Sequence, residues 1–226
     1  MKSISYKTNI SVNDINMLYN NTINNEELLV EFCLCSRKRP NMLYKMFETT
    51  FETSDNPNDI AISVYFNEDD EVSLSQIDRY KNFPNTKLYV GPKQDYTECE
   101  YIAGCLFETS KAKWLCGSQD DTYIGSYGWD TQLKNIDINN NQIILPSKYQ
   151  LGSNPANIYT NIEYLPQFFI PNQCWKKYSD WEYIPHPYDA SIFQLLLDNN
   201  WTLKHIDMFW IHDRRGVGWN EIDNNF

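Results

Sequence analysis

The chain has 226 residues, with 19 lysines and arginines against 30 aspartates and glutamates, which gives a formal net charge of −11. This length favours one domain with a substantial core over two separate domains. The acidic balance repels duplex nucleic acid and anionic membrane surfaces, so we expect neither as a partner.

The amino-terminal residues 1–25 lack the apolar core of a signal peptide, and no later run approaches the roughly 20 apolar residues of a membrane-spanning helix. We therefore expect a soluble, cytoplasmic protein without a membrane segment. Six cysteines are present without any CxxC pair, and several lie within apolar runs. This pattern predicts reduced core thiols rather than a disulfide framework.

The first half of the chain alternates predicted strands and helices. Short apolar runs rich in strand formers are followed by polar breaks and by stretches with helical periodicity. In chain order, the elements are a strand at 28–35, a helix at 41–53, strands at 60–66 and 86–90, a helix at 96–110 and a strand at 113–116. Such alternation predicts an α/β fold with a mostly parallel central sheet flanked by helices.

The second half is less regular and is predicted to complete the same domain. After Gly128 the pattern loosens into an apolar segment at 143–146, proline-rich loops, a helix at 190–198 and a late apolar segment at 208–211. We expect an amino-terminal extension and a single domain behind it. The proposed boundaries are 1–27 for the extension and 28–226 for the domain, which divides into the halves 28–130 and 131–226.

Two adjacent carboxylates, Asp120 and Asp121, follow the strand predicted at 113–116. The carboxyl end of a buried strand is where a sheet gives way to a loop and where a ligand can sit. Two acids at such a place repel each other and lose solvation unless a cation compensates them. They therefore predict a divalent metal ion that carries a nucleotide diphosphate.

The order of motifs resembles glycosyltransferases with the A-type fold, particularly family 2-like enzymes of viral or phage type. The resemblance covers roughly residues 28–130, which it implies to be the nucleotide-binding half, with residues 131–226 as the acceptor-side half. Its motifs are the strand followed by Ser36-Arg37-Lys38-Arg39-Pro40, the strand ending in Asn67-Glu68-Asp69-Asp70, Gln119-Asp120-Asp121-Thr122, and Gly128-Trp129-Asp130. The resemblance implies a single Rossmann-like domain that uses Mn²⁺ or Mg²⁺. It also implies a nucleotide-sugar donor, such as a UDP- or GDP-sugar, and inverting transfer to a glycan or another hydroxyl acceptor.

The resemblance also implies roles for individual residues. In this family the end of the first strand and the acids after the second hold the base, while an Asp-x-Asp element holds the ribose and the metal-diphosphate. Gln119 occupies the first position of that element, so Asp121 becomes the principal metal ligand and Asp120 a second ligand or a ribose contact. The implied nucleotide contacts are Ser36, Arg37, Arg39, Asn67, Asp69 and Asp120.

A further metal ligand in this fold commonly comes from a histidine after a late strand, a place that His212 occupies here. An imidazole ligand favours Mn²⁺ over Mg²⁺. The neighbouring Arg214 and Arg215 are suited to closing over a diphosphate, although a solvated basic turn is an equal alternative. The same two readings apply to Arg37, Lys38 and Arg39.

An inverting transfer needs a base for the acceptor hydroxyl, and the family usually places a carboxylate at the start of a helix on the acceptor side. Asp189, before the predicted helix at 190–198, resembles that residue. The alternative is that Asp189 only caps the helix. Asp180 and Glu182 are competing carboxylates in an aromatic setting.

Structural roles are expected for several other residues. Asp130 is predicted to cap the helix that follows Gly128, with Trp129 packed beneath the metal loop. His186 and His205 are predicted to be structural histidines.

Two alternatives to a glycosyltransferase stay open. A nucleotidyltransferase would show a glycine-rich first loop, whereas residues 36–40 contain no glycine. A non-catalytic nucleotide- or glycan-binding module derived from such an enzyme is favoured by Gln119.

Overall fold

The computed structural model describes residues 14–22, 28–94, 99–152, 154–165, 167–174 and 188–213. The strands are β1 (Asn16–Asn20), β2 (Val30–Ser36), β3 (Ile60–Asn67), β4 (Thr86–Gly91), β5 (Trp114–Gly117), β6 (Thr122–Ile124), β7 (Gln142–Leu151), β8 (Ile158–Thr160), β9 (Phe169–Pro171) and β10 (Thr202–His212). The helices are α1 (Pro40–Glu52), α2 (Glu71–Leu74), α3 (Cys99–Thr109), α4 (Trp129–Lys134) and α5 (Tyr188–Asp198).

The strands form one sheet in the order β1-β4-β3-β2-β5-β9-β7-β10-β6, and β8 pairs with β7. The strands β2, β3, β4, β5, β7 and β10 run in one direction, while β1, β6, β8 and β9 are antiparallel to their neighbours. The α/β class with a mostly parallel sheet is therefore confirmed. Among the described residues, no helix has the length and apolar character needed to cross a membrane.

The elements predicted in the first half agree with the structure to within a few residues, and the main surprise is β1. Its five residues are mostly exposed, and the apolar run of Met17, Leu18 and Tyr19 is too short to mark a strand. It pairs antiparallel with β4 at one edge of the sheet. In the second half, β7, β9 and β10 belong to the same sheet although the proline-rich loops between them obscure the pattern.

Four buried aromatic rings join the two halves of the chain. Phe32 of β2 lies edge-on to Trp129 of α4 and to Phe169 of β9, with ring centroids 5.7 and 5.8 Å apart. Phe169 in turn stacks on Trp210 of β10 at 5.6 Å. Because these rings come from distant parts of the sequence, their packing holds β9 and β10 against β2 and α4.

The opposite face of β2 buries a charged pair. Glu31, next to Phe32 in the strand, is completely buried and accepts hydrogen bonds from Lys87 Nζ at 2.9 and 3.0 Å. Ser63 Oγ also donates to this carboxylate. Burial, together with the nearby Glu31 charge, raises the pKa of Tyr89 to about 12. Polar groups in this layer are thus held inside the sheet by their partners.

The cysteines confirm the expected reduced state where the structure describes their side chains. Among the described residues, the buried thiols that form no disulfide are those of Cys33, Cys35, Cys105, Cys116 and Cys174. Burial raises the pKa of the Cys33 and Cys116 thiols, which keeps them protonated and unreactive.

The strand β2 marks the switch point of the sheet, where open α/β folds form a crevice. From β2 the chain proceeds outward through β3 to β4, and then returns through α3 to β5 on the other side of β2. The loops after β2 and β5 therefore leave the sheet in opposite directions. In open α/β sheets this switch point, at the carboxyl ends of the strands, is the usual place for a ligand.

Candidate active site

The loop after β2 is held in a fixed conformation by the residues that follow β3. Lys38 adopts a left-handed backbone conformation with φ 58°. Its backbone N–H donates to Asp70 Oδ2 at 2.8 Å and to Ser73 Oγ at 3.1 Å. Asp70 also accepts from the Ser73 N–H at 3.2 Å and so caps α2. Asp70 therefore links the loop to α2, and α1 begins directly afterwards at Pro40.

Two predicted nucleotide contacts, Arg37 and Asp69, bind each other. The guanidinium of Arg37 makes a two-pronged ion pair with the Asp69 carboxylate, in which Nη2 lies 2.9 Å from Oδ2. Lys93 Nζ lies 3.4 Å from the same carboxylate. The Arg37 hydrogen bond is the main reason that the pKa of Asp69 is lowered to about 2. Asn67, another predicted contact, is buried and donates to the Gln94 carbonyl at 2.9 Å.

Replacing Arg37 with glutamine is expected to raise the pKa of Asp69 from about 2 toward its usual 3.8. The reason is that the Arg37 hydrogen bond, the main interaction that favours the ionised carboxylate, is lost. A lowered pKa contributes stability above the unfolded-state value, and this contribution disappears as the pH falls through about 2. The wild type therefore loses this contribution to stability as the pH falls below about 4, whereas the variant lacks most of it at every pH. A carbon-13 NMR titration of the side-chain carboxyls measures the shift.

Lys81→Gln is the matched control, since Lys81 pairs with the exposed Asp78 and not with Asp69. An unchanged Asp69 titration in Arg37→Gln would show that the ion pair does not hold the carboxylate in its ionised form.

The acid pair after β5 is compensated from inside the protein. Asp120 is completely buried; its Oδ2 accepts from Ser36 Oγ at 2.8 Å and its Oδ1 lies 2.7 Å from Arg39 Nη2. The second guanidinium nitrogen of Arg39 lies 3.5 Å from Asp121 Oδ2. The cation that compensates Asp120 in this structure is thus the Arg39 guanidinium. Arg39 crosses the switch point and supplies that charge.

Asp121 meets His212, as predicted, at the end of β10. His212 Nε2 lies 3.3 Å from Asp121 Oδ1, and the Asp213 N–H donates to the Asp121 carbonyl at 2.8 Å. The Tyr149 hydroxyl lies 2.7 Å from His212 Nδ1. Burial alone would raise the pKa of Asp121, but His212 and Arg39 outweigh it and lower that pKa. Asp121 is thus an ionised carboxylate facing an imidazole of fixed orientation.

Asp121 and His212 suit a divalent metal ion. An oxygen and a nitrogen donor 3.3 Å apart are close enough to share one ion with metal–ligand bonds of about 2.1 Å. The contact of Tyr149 with Nδ1 directs Nε2 toward Asp121, as outer partners of metal-binding histidines do. No cluster of three or more histidine, cysteine or acidic side chains gathers within the described ranges. Within the described residues these two side chains would be the protein ligands, and a diphosphate and water would complete the set.

The remaining site predictions fall partly outside the described residues. Asp189 lies in the first turn of α5, which begins at Tyr188 rather than at residue 190, so it is inside the helix and not at its cap position; its side chain is not described. Also outside the described residues are Arg214, Arg215, Asp180, Glu182 and His186. His205 is confirmed as structural, since its Nε2 lies 2.7 Å from the Ile162 carbonyl.

Asp130 has a structural role, but it does not cap α4. Gly128, with φ 71°, takes the position before the helix. The buried Asp130 carboxylate accepts hydrogen bonds from Ser54 Oγ and from the N–H groups of Asp55 and Asn56, at 2.8–2.9 Å. It therefore fixes the loop that follows α1. The neighbouring Trp129 donates from Nε1 to Thr53 Oγ1 at 3.2 Å.

Sequence reasoning missed Tyr149 and Gln167. Tyr149 orients His212 from β7, and Gln167 stands just before β9 with only 1% of its surface exposed. A single tyrosine in a strand and a single glutamine in a proline-rich stretch carry no local signal. The strand order β5-β9-β7-β10 brings Tyr149 to His212 and places β9, which Gln167 precedes, between β5 and β7.

Solved structures provide the comparison with known proteins. No family model and no curated protein sequence matches the chain. The similar structures include TarS 1–349 from S. aureus, with 11% identity and a TM-score of 0.60 over 80% of this chain and 60% of that one. The structure of the same protein in complex with UDP has 10% identity and a TM-score of 0.63 over 81% of this chain and 60% of that one.

A third similar structure is the mannosyltransferase PcManGT from Pyrobaculum calidifontis in complex with GDP-Man and Mn²⁺. It has 8% identity and a TM-score of 0.58 over 89% of this chain and 61% of that one. The chain thus spans about three fifths of the length of these neighbours. At such low identity the likeness shows the fold alone: this chain has the α/β fold of the A-type glycosyltransferases.

Proposed function

We propose that the chain is a glycosyltransferase that moves a sugar from a nucleoside diphosphate to a hydroxyl of a glycan or another acceptor, with Mn²⁺ or Mg²⁺. The pairing of Asp121 with His212 at the switch point carries the proposal. The neighbours bound to UDP, or to GDP-Man and Mn²⁺, support a nucleotide-sugar donor and a divalent ion.

The diphosphate side of the reaction relies on Asp121 and His212 as the ion's protein ligands. When bound, the ion would neutralise the charge that grows on the departing diphosphate. Tyr149 leaves Nε2 of His212 available by holding Nδ1. Arg39 keeps Asp121 ionised, and its pairing with Asp120 locks the β5 loop against the β2 loop. Arg214 and Arg215 are proposed to close over the diphosphate.

The nucleoside lies, in this proposal, on the β2–β3 side of the crevice. Asp69 keeps more than a third of its carboxylate exposed while Arg37 holds it ionised, so it can accept a hydrogen bond from a base N–H or a ribose hydroxyl. The exposed ammonium of Lys93 adds positive charge beside it. Ser36, Arg39 and Asp120 act by fixing the loops, because they already bind one another.

Asp189 is proposed as the base of an inverting transfer. It would take the proton of the acceptor hydroxyl while that oxygen bonds to the anomeric carbon and the bond from this carbon to the diphosphate oxygen breaks. In the first turn of α5 the helix dipole favours the ionised carboxylate, which is the form that accepts a proton.

The test is a thermal-shift panel of UDP, GDP, UDP-glucose, UDP-N-acetylglucosamine and GDP-mannose, each with Mn²⁺ and with EDTA. A ligand that binds only the folded state raises the melting temperature by mass action. We expect one nucleotide family to stabilise the protein only with Mn²⁺, and its sugar to be released by hydrolysis. No shift with any of these compounds would overturn the proposal.

A second candidate is a nucleotide- or glycan-binding module without activity. It is favoured by Gln119 and by the full engagement of Asp120 with Ser36 and Arg39, which leaves two protein ligands for an ion. Metal-dependent binding of a sugar nucleotide without any release of nucleotide, with or without added acceptor glycans, would identify it.

A further inference from the structure

We infer that Gln167 binds the hydroxyl groups of the donor sugar and thereby selects which sugar is transferred. This inference rests on the proposed function and extends it to the sugar itself. It is carried by the buried side-chain amide of Gln167, which has no hydrogen-bond partner among the described residues, and by the position of this residue just before β9.

The amide of Gln167 is buried and unsatisfied. The residue is 1% exposed, and neither Oε1 nor Nε2 has a hydrogen-bond partner among the residues that the structure describes. A glutamine amide offers two donors and one strong acceptor, and native proteins rarely leave such a group buried without partners. A bound ligand with hydroxyl groups would satisfy both ends of the amide.

Strand register places Gln167 beside the acid-bearing loop. β9 runs antiparallel to β5 with Phe169 opposite Cys116, so two further residues bring Gln167 level with Ser118, shortly before the acid pair. On its other side β9 pairs with β7, the strand that carries Tyr149. Gln167 therefore stands between the elements that position Asp121 and His212.

The order of groups along this edge of the sheet matches the order of groups in a sugar nucleotide. Asp69 follows β3, the acid pair follows β5, and Gln167 precedes the next strand, β9. A donor with its nucleoside near Asp69 and its diphosphate near Asp121 extends its sugar toward β9. An uncharged amide fits neutral hydroxyls, and a site built to hydrogen-bond a hydroxyl discriminates strongly against a sugar that lacks it.

The experiment compares Gln167→Leu with the control Trp201→Phe. Trp201 is also buried and its Nε1 has no hydrogen-bond partner within the described ranges, but it lies at the opposite, amino-terminal end of β10. Calorimetry with Mn²⁺ measures the Kd of UDP against UDP-glucose and UDP-N-acetylglucosamine, and of GDP against GDP-mannose. The readout is the ratio of sugar-nucleotide affinity to nucleotide affinity.

We expect Gln167→Leu to raise the Kd of the sugar nucleotide about tenfold and to leave the Kd of the free nucleotide unchanged. The melting temperature of the variant should be no lower than that of the wild type. Trp201→Phe should change neither Kd. An unchanged ratio in Gln167→Leu overturns the inference while the proposed function stands. If the leucine variant does not fold, Gln167→Met, which keeps the side-chain length, decides by the same ratio. If the wild type binds no sugar nucleotide, the proposed function and the inference both fail.

Discussion

Replacing Asp121 with alanine is expected to abolish Mn²⁺-dependent nucleotide stabilisation and to lower donor hydrolysis at least about a hundredfold. The variant removes one of the two metal ligands proposed among the described residues and leaves His212 without the carboxylate that lies 3.3 Å away. The fold should survive, because Asp120 keeps its contacts with Ser36 and Arg39. Released nucleotide, assayed with Mn²⁺ and with EDTA, measures the effect.

Tyr149→Phe provides an intermediate step in the same assay. It removes only the hydroxyl that contacts His212 Nδ1, so we expect Mn²⁺-dependent donor hydrolysis to fall about 10- to 100-fold. Asp78→Asn is the control for removing a carboxylate elsewhere, since that side chain is 91% exposed. Mn²⁺-dependent hydrolysis retained at the wild-type rate in Asp121→Ala would exclude Asp121 as a metal ligand.

Replacing Lys87 with methionine is expected to lower the free energy of unfolding by about 3–5 kcal/mol. Lys87 Nζ makes two hydrogen bonds to Glu31, whose side chain is 0% exposed. Removing the ammonium leaves a carboxylate inside the sheet with Ser63 as its remaining hydrogen-bond donor among the contacts described above. Urea denaturation of the variant and the wild type measures the difference.

Two further variants make this prediction specific. The double variant Glu31→Leu, Lys87→Met is expected to recover much of the loss, because an apolar pair of similar volume can replace a buried ion pair. Lys134→Met, which breaks the more exposed pair with Asp59, should cost less than about 1 kcal/mol. A cost of that small size for Lys87→Met would show that the Glu31 charge is not held by Lys87.

The elements of the first half were predictable because their signals are local. The helix α1 follows a proline at its first position, and Met42, Met46 and Phe47 on its predicted apolar stripe are all buried. The parallel strands β2 and β3 are buried along their whole length, as continuous apolar runs indicate. The short, exposed edge strand β1 has no such pattern and was not predicted.

The site was predictable only where a motif resembled a known family. That resemblance, and no spacing rule, led from Asp121 to His212, and the structure brings the two side chains together. The same reasoning assigned Arg37 and Asp69 separately to the nucleotide, whereas the structure pairs them with each other. Local sequence identifies which residues have useful chemistry, but not which of them neutralise one another.

The sequence by itself determined the α/β class, the bounds of most elements in the first half and the acid pair at the end of β5, because hydrophobic periodicity and turn residues act over short stretches of chain. Only the tertiary structure decided that Arg39 compensates Asp120, that Tyr149 orients His212, and that Gln167 lies beside the acid loop. These contacts join residues far apart in the chain, and strand order and register determine which of them meet.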